Sequence, residues 1–280
     1  MQGAFADAAL VLVGHGSTLN AESAMPTFQH ADEIRRRRYF AQVLECFWKE
    51  QPAICAVMRG VFVPRVFVVP LFVSDGYFTE EVVPRELGLA KRGQTEFDRV
   101  QTISGRTIHY CGPLGTHPSM TEVILARARD TVERFPGGAT PPAPANTSLF
   151  VAGHGTGNNE NSRRAIEHHV LAIRKRCQYH DVHSVFMEED PFIRECYSLA
   201  STPNIIMVPF FISDGLHSYE DIPVMLGAPE GEVRERLAAG QPTWTNPTPV
   251  RGKRTWYTPS VGREPHIPDV IMERVREAVR

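Results

Sequence analysis

Two stretches of this chain occur twice, at a spacing large enough to hold a whole domain. Leu12-Val13-Gly14-His15-Gly16-Ser17-Thr18 returns as Val151-Ala152-Gly153-His154-Gly155-Thr156-Gly157. Val69-Pro70-Leu71-Phe72-Val73-Ser74-Asp75-Gly76 returns as Val208-Pro209-Phe210-Phe211-Ile212-Ser213-Asp214-Gly215. The offset is 139 in both cases (154 minus 15, and 215 minus 76), so no net insertion separates the two signatures within a copy. A period of that size lies far outside the roughly 20–50 residues of solenoid repeats, so each copy is expected to build its own core.

Between the copies, Phe135–Ser148 holds four prolines and two glycines, which sustain neither a helix nor a strand ladder. The expected division is therefore a repeat over 1–134, a linker over 135–148 and a second repeat over 149–280. Within each repeat, short apolar runs ending in glycine or proline alternate with helical patterns. This predicts an α/β fold of two similar doubly wound parallel-sheet domains, with ligands at the carboxyl ends of the strands. Ser119-Met120-Thr121-Glu122 reads as a capping box, followed by an apolar helix face of Ile124, Ala128, Val132 and Phe135. After the fourth strand the offset grows to 147 (Pro118 against Pro265), which puts about eight extra residues between Gly227 and Arg254.

Bulk properties narrow the function classes. The net charge of −2 gives no reason to expect a nucleic-acid partner. The five cysteines are scattered without a C-x-x-C pair, which argues against a zinc ribbon, a disulfide framework or an iron–sulfur cluster. They are expected to be buried thiols of a reducing, cytoplasmic setting. No apolar stretch approaches the roughly 18 residues of a membrane span. The run Ala8–Val13 lacks the basic flank of a signal peptide and reads as the first strand.

The two copies differ where chemistry would sit. Carrying the 139 offset from Lys49 reaches Glu188, and from Phe78 reaches His217. The second repeat thus sets His154, Glu188 and His217 at three strand ends, whereas the first has His15, Lys49 and Phe78. Two imidazoles and a carboxylate suit a borderline divalent transition metal. An ammonium and a phenyl ring cannot replace them, so the metal site is expected only in the second repeat. Glu189 and Asp190 stand beside Glu188 as alternative carboxylates.

Gly-His-Gly-[Ser/Thr] after strand one, with Pro209-Phe210-Phe211-Ile212-Ser213-Asp214-Gly215-Leu216-His217-Ser218-Tyr219-Glu220-Asp221-Ile222-Pro223, resembles the signatures of CbiX/SirB-type class II tetrapyrrole chelatases. The resemblance implies insertion of a divalent metal substrate, Co²⁺ or Fe²⁺, into a sirohydrochlorin-type macrocycle without nucleotide. It implies His154 and His217 as metal-site histidines and Glu188 as the nearby glutamate. Asn158, Asn161, Ser162 and Arg163, at a predicted helix start after the His154 turn, are candidates for the tetrapyrrole rim. Two other readings stand beside this one. A carrier of metal or tetrapyrrole would use the same ligands. A histidine phosphatase would need an arginine where Gly14 and Gly153 stand.

Overall fold

Ten short strands and nine helices alternate along the residues the structure describes, which are 5–18, 20, 23–155 and 160–280. It is a computed structural model. The first repeat runs β1 (Phe5–Gly14), α1 (Met25–Arg37), β2 (Phe40–Phe47), α2 (Ile54–Val57), β3 (Arg65–Pro70), α3 (Val83–Glu86), β4 (Val100–Ile103), β5 (Arg106–Tyr110) and α4 (Met120–Arg134). The second runs β6 (Thr147–Gly153), α5 (Asn161–Arg174), β7 (Asp181–Phe186), α6 (Cys196–Leu199), β8 (Asn204–Pro209), α7 (Ile222–Met225), α8 (Glu230–Ala238), β9 (Thr248–Val250), β10 (Lys253–Tyr257) and α9 (Ile267–Glu277).

The strands form two sheets of the same topology, β2-β1-β3-β5-β4 and β7-β6-β8-β10-β9. All neighbours are parallel except the last pair in each sheet. Residues 8–13 of β1 and all of β6 are buried, as expected of central parallel strands covered on both faces. The strand order reverses between β1 and β3, and again between β6 and β8. That reversal is where a doubly wound sheet leaves a crevice at its carboxyl edge.

The antiparallel edge strands β4 and β9 were not expected from the sequence. Each joins its partner through a two-residue turn with positive φ at both positions. These are Ser104 (50°) with Gly105 (76°), and Arg251 (49°) with Gly252 (77°). That conformation suits the right-handed twist of a hairpin and favours glycine at the second position. The extra residues of the second repeat supply α8, on the segment that leads into the β9 hairpin.

The sequence repeats and the compact units are not the same segments. One unit comprises Met1–His117 with Pro265–Arg280, and the other Pro118–Glu264. The expected repeats, 1–134 and 149–280, divide the sequence, whereas compact structure parts at His117/Pro118 and Glu264/Pro265. The cause is an exchange of final helices. In the first unit α9 is held by Arg37 on Asp269 (2.5 Å), and by Arg274 donating to Pro113 O and Thr116 Oγ1 (2.7 Å each). His117 adds contacts to Glu273 and Glu277 at 3.5 and 3.2 Å. In the second unit α4 packs along β8 and β10, and Thr121 Oγ1 lies 2.9 Å from His169 Nδ1. The Ser119 capping box does not form, because Glu122 pairs instead with Arg176 at the end of α5. The linker itself is mostly exposed through Asn146, but Thr147 and Ser148 are buried and already belong to β6.

Three cysteines, Cys46, Cys111 and Cys196, are buried thiols as expected, while Cys55 and Cys177 are exposed; none forms a disulfide. Burial holds the Cys111 and Cys196 thiols up at about 12, so neither is a thiolate at neutral pH. Among the described residues no helix is long and apolar enough to cross a membrane.

The helix exchange has a measurable consequence. Ile267, Val270, Ile271, Met272 and Val275 are buried on α9, a contribution on the order of 10 kcal/mol at most. That is comparable to the stability of a whole domain. Deleting residues 265–280 is therefore expected to strip hydrogen-exchange protection from β1 and β3, in the other sequence repeat. Loss of protection in β6 and β8 instead would contradict the exchange.

Candidate metal centre

The site is built by three consecutive strand ends and one unusual turn. β6 ends at Gly153, where a Cβ would lie 2.2 Å from Ile166 Cδ1 and the end of that side chain would have to shift. Glycine stands here where the phosphatase reading needs an arginine. Gly155 follows at φ 72°, in the left-handed region, and turns the chain so that His154 stays partly exposed. The His154 Nδ1–H donates to the Gly155 carbonyl at 2.8 Å. A carbonyl can only accept, so Nδ1 carries the proton and Nε2 carries the lone pair.

His217 stands on the neighbouring segment after β8. Residues His217–Asp221 form a π-helical turn, in which the Ile222 N–H reaches the His217 carbonyl. Pro223 explains the wider register: its ring would clash with the carbonyl four residues earlier in an α-helix, and it has no N–H to give. The Ser218 carbonyl would consequently lack a donor. Tyr257 supplies one, its buried hydroxyl donating to Ser218 O at 2.7 Å. Burial pushes the Tyr257 phenol well above its ordinary value, which keeps that proton in place. Turns of this kind are concentrated at functional sites.

The result brings the two predicted histidines together. The His154 and His217 ring centroids are 4.9 Å apart, with the rings at 81°. The His217 Nδ1–H donates to Asp221 Oδ2 at 2.7 Å, one helical turn on. Both imidazoles therefore have Nδ1 engaged and Nε2 available. A carboxylate behind a histidine fixes its ring and raises its basicity as a metal ligand. Asp221 falls within the sequence motif, and its four-residue spacing from His217 on a turn is the signal for its role.

Glu188 follows β7, and its backbone N–H donates to the His154 carbonyl at 3.0 Å. Its Oε2 lies 3.6 Å from His154 Nδ1, on the ring's already bonded side, and the side chain is largely exposed. Among the described residues no group of three or more ligating side chains converges. The arrangement is two imidazoles with an exposed carboxylate alongside, not a closed cage. Of the alternatives, Glu189 accepts from Arg163 at 3.0 Å, and Asp190 offers Arg163 its backbone carbonyl at 2.9 Å.

Of the residues expected at the tetrapyrrole rim, Asn161, Ser162 and Arg163 lie in the first turn of α5. Arg163 is committed to Glu167, Glu189 and the Asp190 carbonyl, and lies over the Phe186 ring at 4.9 Å. Ser162 Oγ is buried. Asn161 opens α5 and is half-buried. Asn158 lies outside the described residues. His169 is fully buried, against Thr121 and Phe210.

The first unit repeats the geometry without the chemistry. His15 Nδ1 donates to Gly16 O at 2.8 Å, and the centroids of His15 and Phe78 are 4.9 Å apart at 81°. A π-turn over Phe78–Val82 is again followed by proline, and Tyr110 donates to Thr79 O at 2.7 Å. Phe78 stands for His217, Val82 for Asp221 and Lys49 for Glu188. The second ligand and the carboxylate that would orient it are missing together.

Several known proteins are similar to this chain in sequence or in fold. A Halobacterium salinarum protein, named probable sirohydrochlorin cobaltochelatase, is 42% identical over 284 residues, covering 96% of this chain and 91% of its own. A Methanopyrus kandleri sirohydrochlorin cobaltochelatase is 27% identical over 139 residues, covering 47% of this chain and 96% of its own. Among solved structures, a multi-domain Deinococcus radiodurans protein, described as structurally similar to chelatases, superposes with a TM-score of 0.76 at 32% identity. It covers 97% of this chain, which spans only 54% of that longer protein. SirB from Bacillus subtilis, solved with Fe³⁺, shares the fold at a TM-score of 0.66 and 17% identity, covering 99% of this chain and 96% of its own. The CbiX family matches residues 9–131 and again 148–278, and the chain belongs to that family.

Proposed function

We propose that this protein inserts a divalent metal ion, Co²⁺ or Fe²⁺, into a sirohydrochlorin-type tetrapyrrole without nucleotide, using the site of the second repeat. The observation that carries the reading is the His154–His217 pair, with both Nδ1 atoms engaged and both Nε2 lone pairs left for an incoming ion. Support comes also from family membership and from the relatives' names.

The geometry suits transfer better than storage. Two imidazoles hold the metal substrate loosely, and the exposed Glu188 adds a third ligand, an oxygen, by a change of rotamer. The remaining coordination positions stay open to the macrocycle nitrogens. As those nitrogens take the ion, two pyrrole protons must leave. Each histidine Nε2 that releases the metal becomes a base for one of them. The Asp221 carboxylate then stabilises the imidazolium of His217, and Glu188 lies against the ring of His154. The net step exchanges one M²⁺ for two protons, and both protons pass on to solvent.

His154→Ala and His217→Ala are each expected to lower the initial rate of Co²⁺ insertion into sirohydrochlorin at least about 100-fold, followed by absorbance. Multiple turnovers by the wild-type chain are expected. Uptake of a single equivalent with no turnover would replace this reading with a carrier.

Asp221→Asn keeps the shape of the π-turn but removes the charge behind His217. It is expected to weaken Co²⁺ binding by about 10–100-fold without loss of folding. Unchanged affinity by titration calorimetry would mean that Asp221 does not tune His217 as a ligand.

A further inference from the structure

We propose that the first repeat binds the metallated tetrapyrrole, with His15 Nε2 as a single axial ligand to the metal already held by the macrocycle. The inference rests on the chelatase reading and assigns a role to the half of the molecule that reading leaves without chemistry.

The first-repeat site has lost its ability to chelate a free ion. Its second imidazole is Phe78, the carboxylate behind it is Val82, and the flanking glutamate is Lys49. Yet His15 keeps the geometry of a ligand: its Nδ1–H is held on Gly16 O at 2.8 Å, which leaves the lone pair on a partly exposed ring. One imidazole is too little for a bare divalent cation. It is sufficient for an ion with four equatorial nitrogens already in place, as the proximal histidine of haem proteins illustrates.

The substitutions around His15 match such a ligand in shape and charge. Phe78 touches Trp48, Phe72 and Tyr77, with centroids 5.5–6.4 Å away. The corresponding positions in the second repeat are Met187, Phe211 and Leu216, so the first site is the more aromatic. Flat π faces suit a macrocycle. Lys49 is exposed above the Trp48 ring, 6.0 Å from its centroid, where its ammonium can meet a peripheral carboxylate. Of the carboxylates in this unit, Glu80 is paired with Arg99 at 2.7 Å, and Glu50 packs against Gly16 with its Oε1 buried. No bond is broken in binding: the Nε2 lone pair fills an open axial position, and the ring proton stays on Nδ1.

The test uses the full chain carrying His154→Ala and His217→Ala, so that the second site cannot coordinate, with anaerobic cobalt(II) sirohydrochlorin as probe. The unpaired electron of low-spin cobalt(II) points along the axial direction, so one imidazole splits each cobalt line into three in the electron paramagnetic resonance spectrum. Labelling histidine with ¹⁵N is expected to turn three lines into two. Adding His15→Ala should remove the splitting. Lys49→Glu, a surface change that spares folding, should weaken binding up to about tenfold at low salt and less at high salt. Splitting that survives His15→Ala, or its absence from the starting variant, overturns the proposal. So does binding of Co²⁺ alone at His15. Insertion by the wild-type chain is measured separately. Insertion without a His15-dependent spectrum defeats this inference alone, whereas the spectrum without insertion defeats the chelatase reading.

Discussion

A buried hydroxyl–carbonyl bond, from Tyr257 to the Ser218 carbonyl, holds the geometry on which the site depends. Pro223 cannot donate, the turn before it widens, and one carbonyl is left without a backbone partner. An unmet buried carbonyl costs about 1–3 kcal/mol, enough to displace a short turn from its position. The tyrosine removes that cost and ties the turn to β10, and the turn in turn places His217 against His154. The first unit has the same bond, from Tyr110 to Thr79, although its turn carries no ligand. The scaffold and the chemistry have therefore diverged separately: the backbone solution is kept in both copies, and the donor atoms in one.

The way the first copy lost its donors is informative. Phe78 occupies the place and tilt of an imidazole, as the matching 4.9 Å separations and 81° angles record. A carboxylate at position 82 would have no histidine to orient, and Val82 is fully buried there instead. An uncompensated charge in that place would be costly, so the two changes belong together. Lys49 is exposed and free of that constraint.

Much of this was legible in the sequence because repeats turn a hard comparison into an internal one. The alternation of short apolar runs with helical patterns pointed to the α/β class, and the 139 offset singled out His154, His217 and Glu188 as candidates. What could not be read depends on non-local packing. Edge strands of three and four residues, β9 and β4, are too short for a periodic signal, although Ser104-Gly105 and Arg251-Gly252 were turn signals of the right kind. The helix exchange is invisible because α4 and α9 have the same amphipathic pattern whichever sheet they cover. Arg163 suited an anion-binding rim by position alone, and only the fold shows that Glu167 and Glu189 already hold it.

The exchange of final helices also sets an order on synthesis. The segment Pro118–Glu264 is continuous, so its unit is complete as soon as it has left the ribosome. The other unit begins first and finishes last, because its sheet waits for α9 at the very end of the described chain. At roughly 5–20 residues per second the interval is on the order of ten seconds or more. Throughout it, the sheet surface that α9 covers is open to water and to other nascent chains. The earlier-born half is thus the one that stays incomplete longer, and the later-born half is the first to become a finished domain.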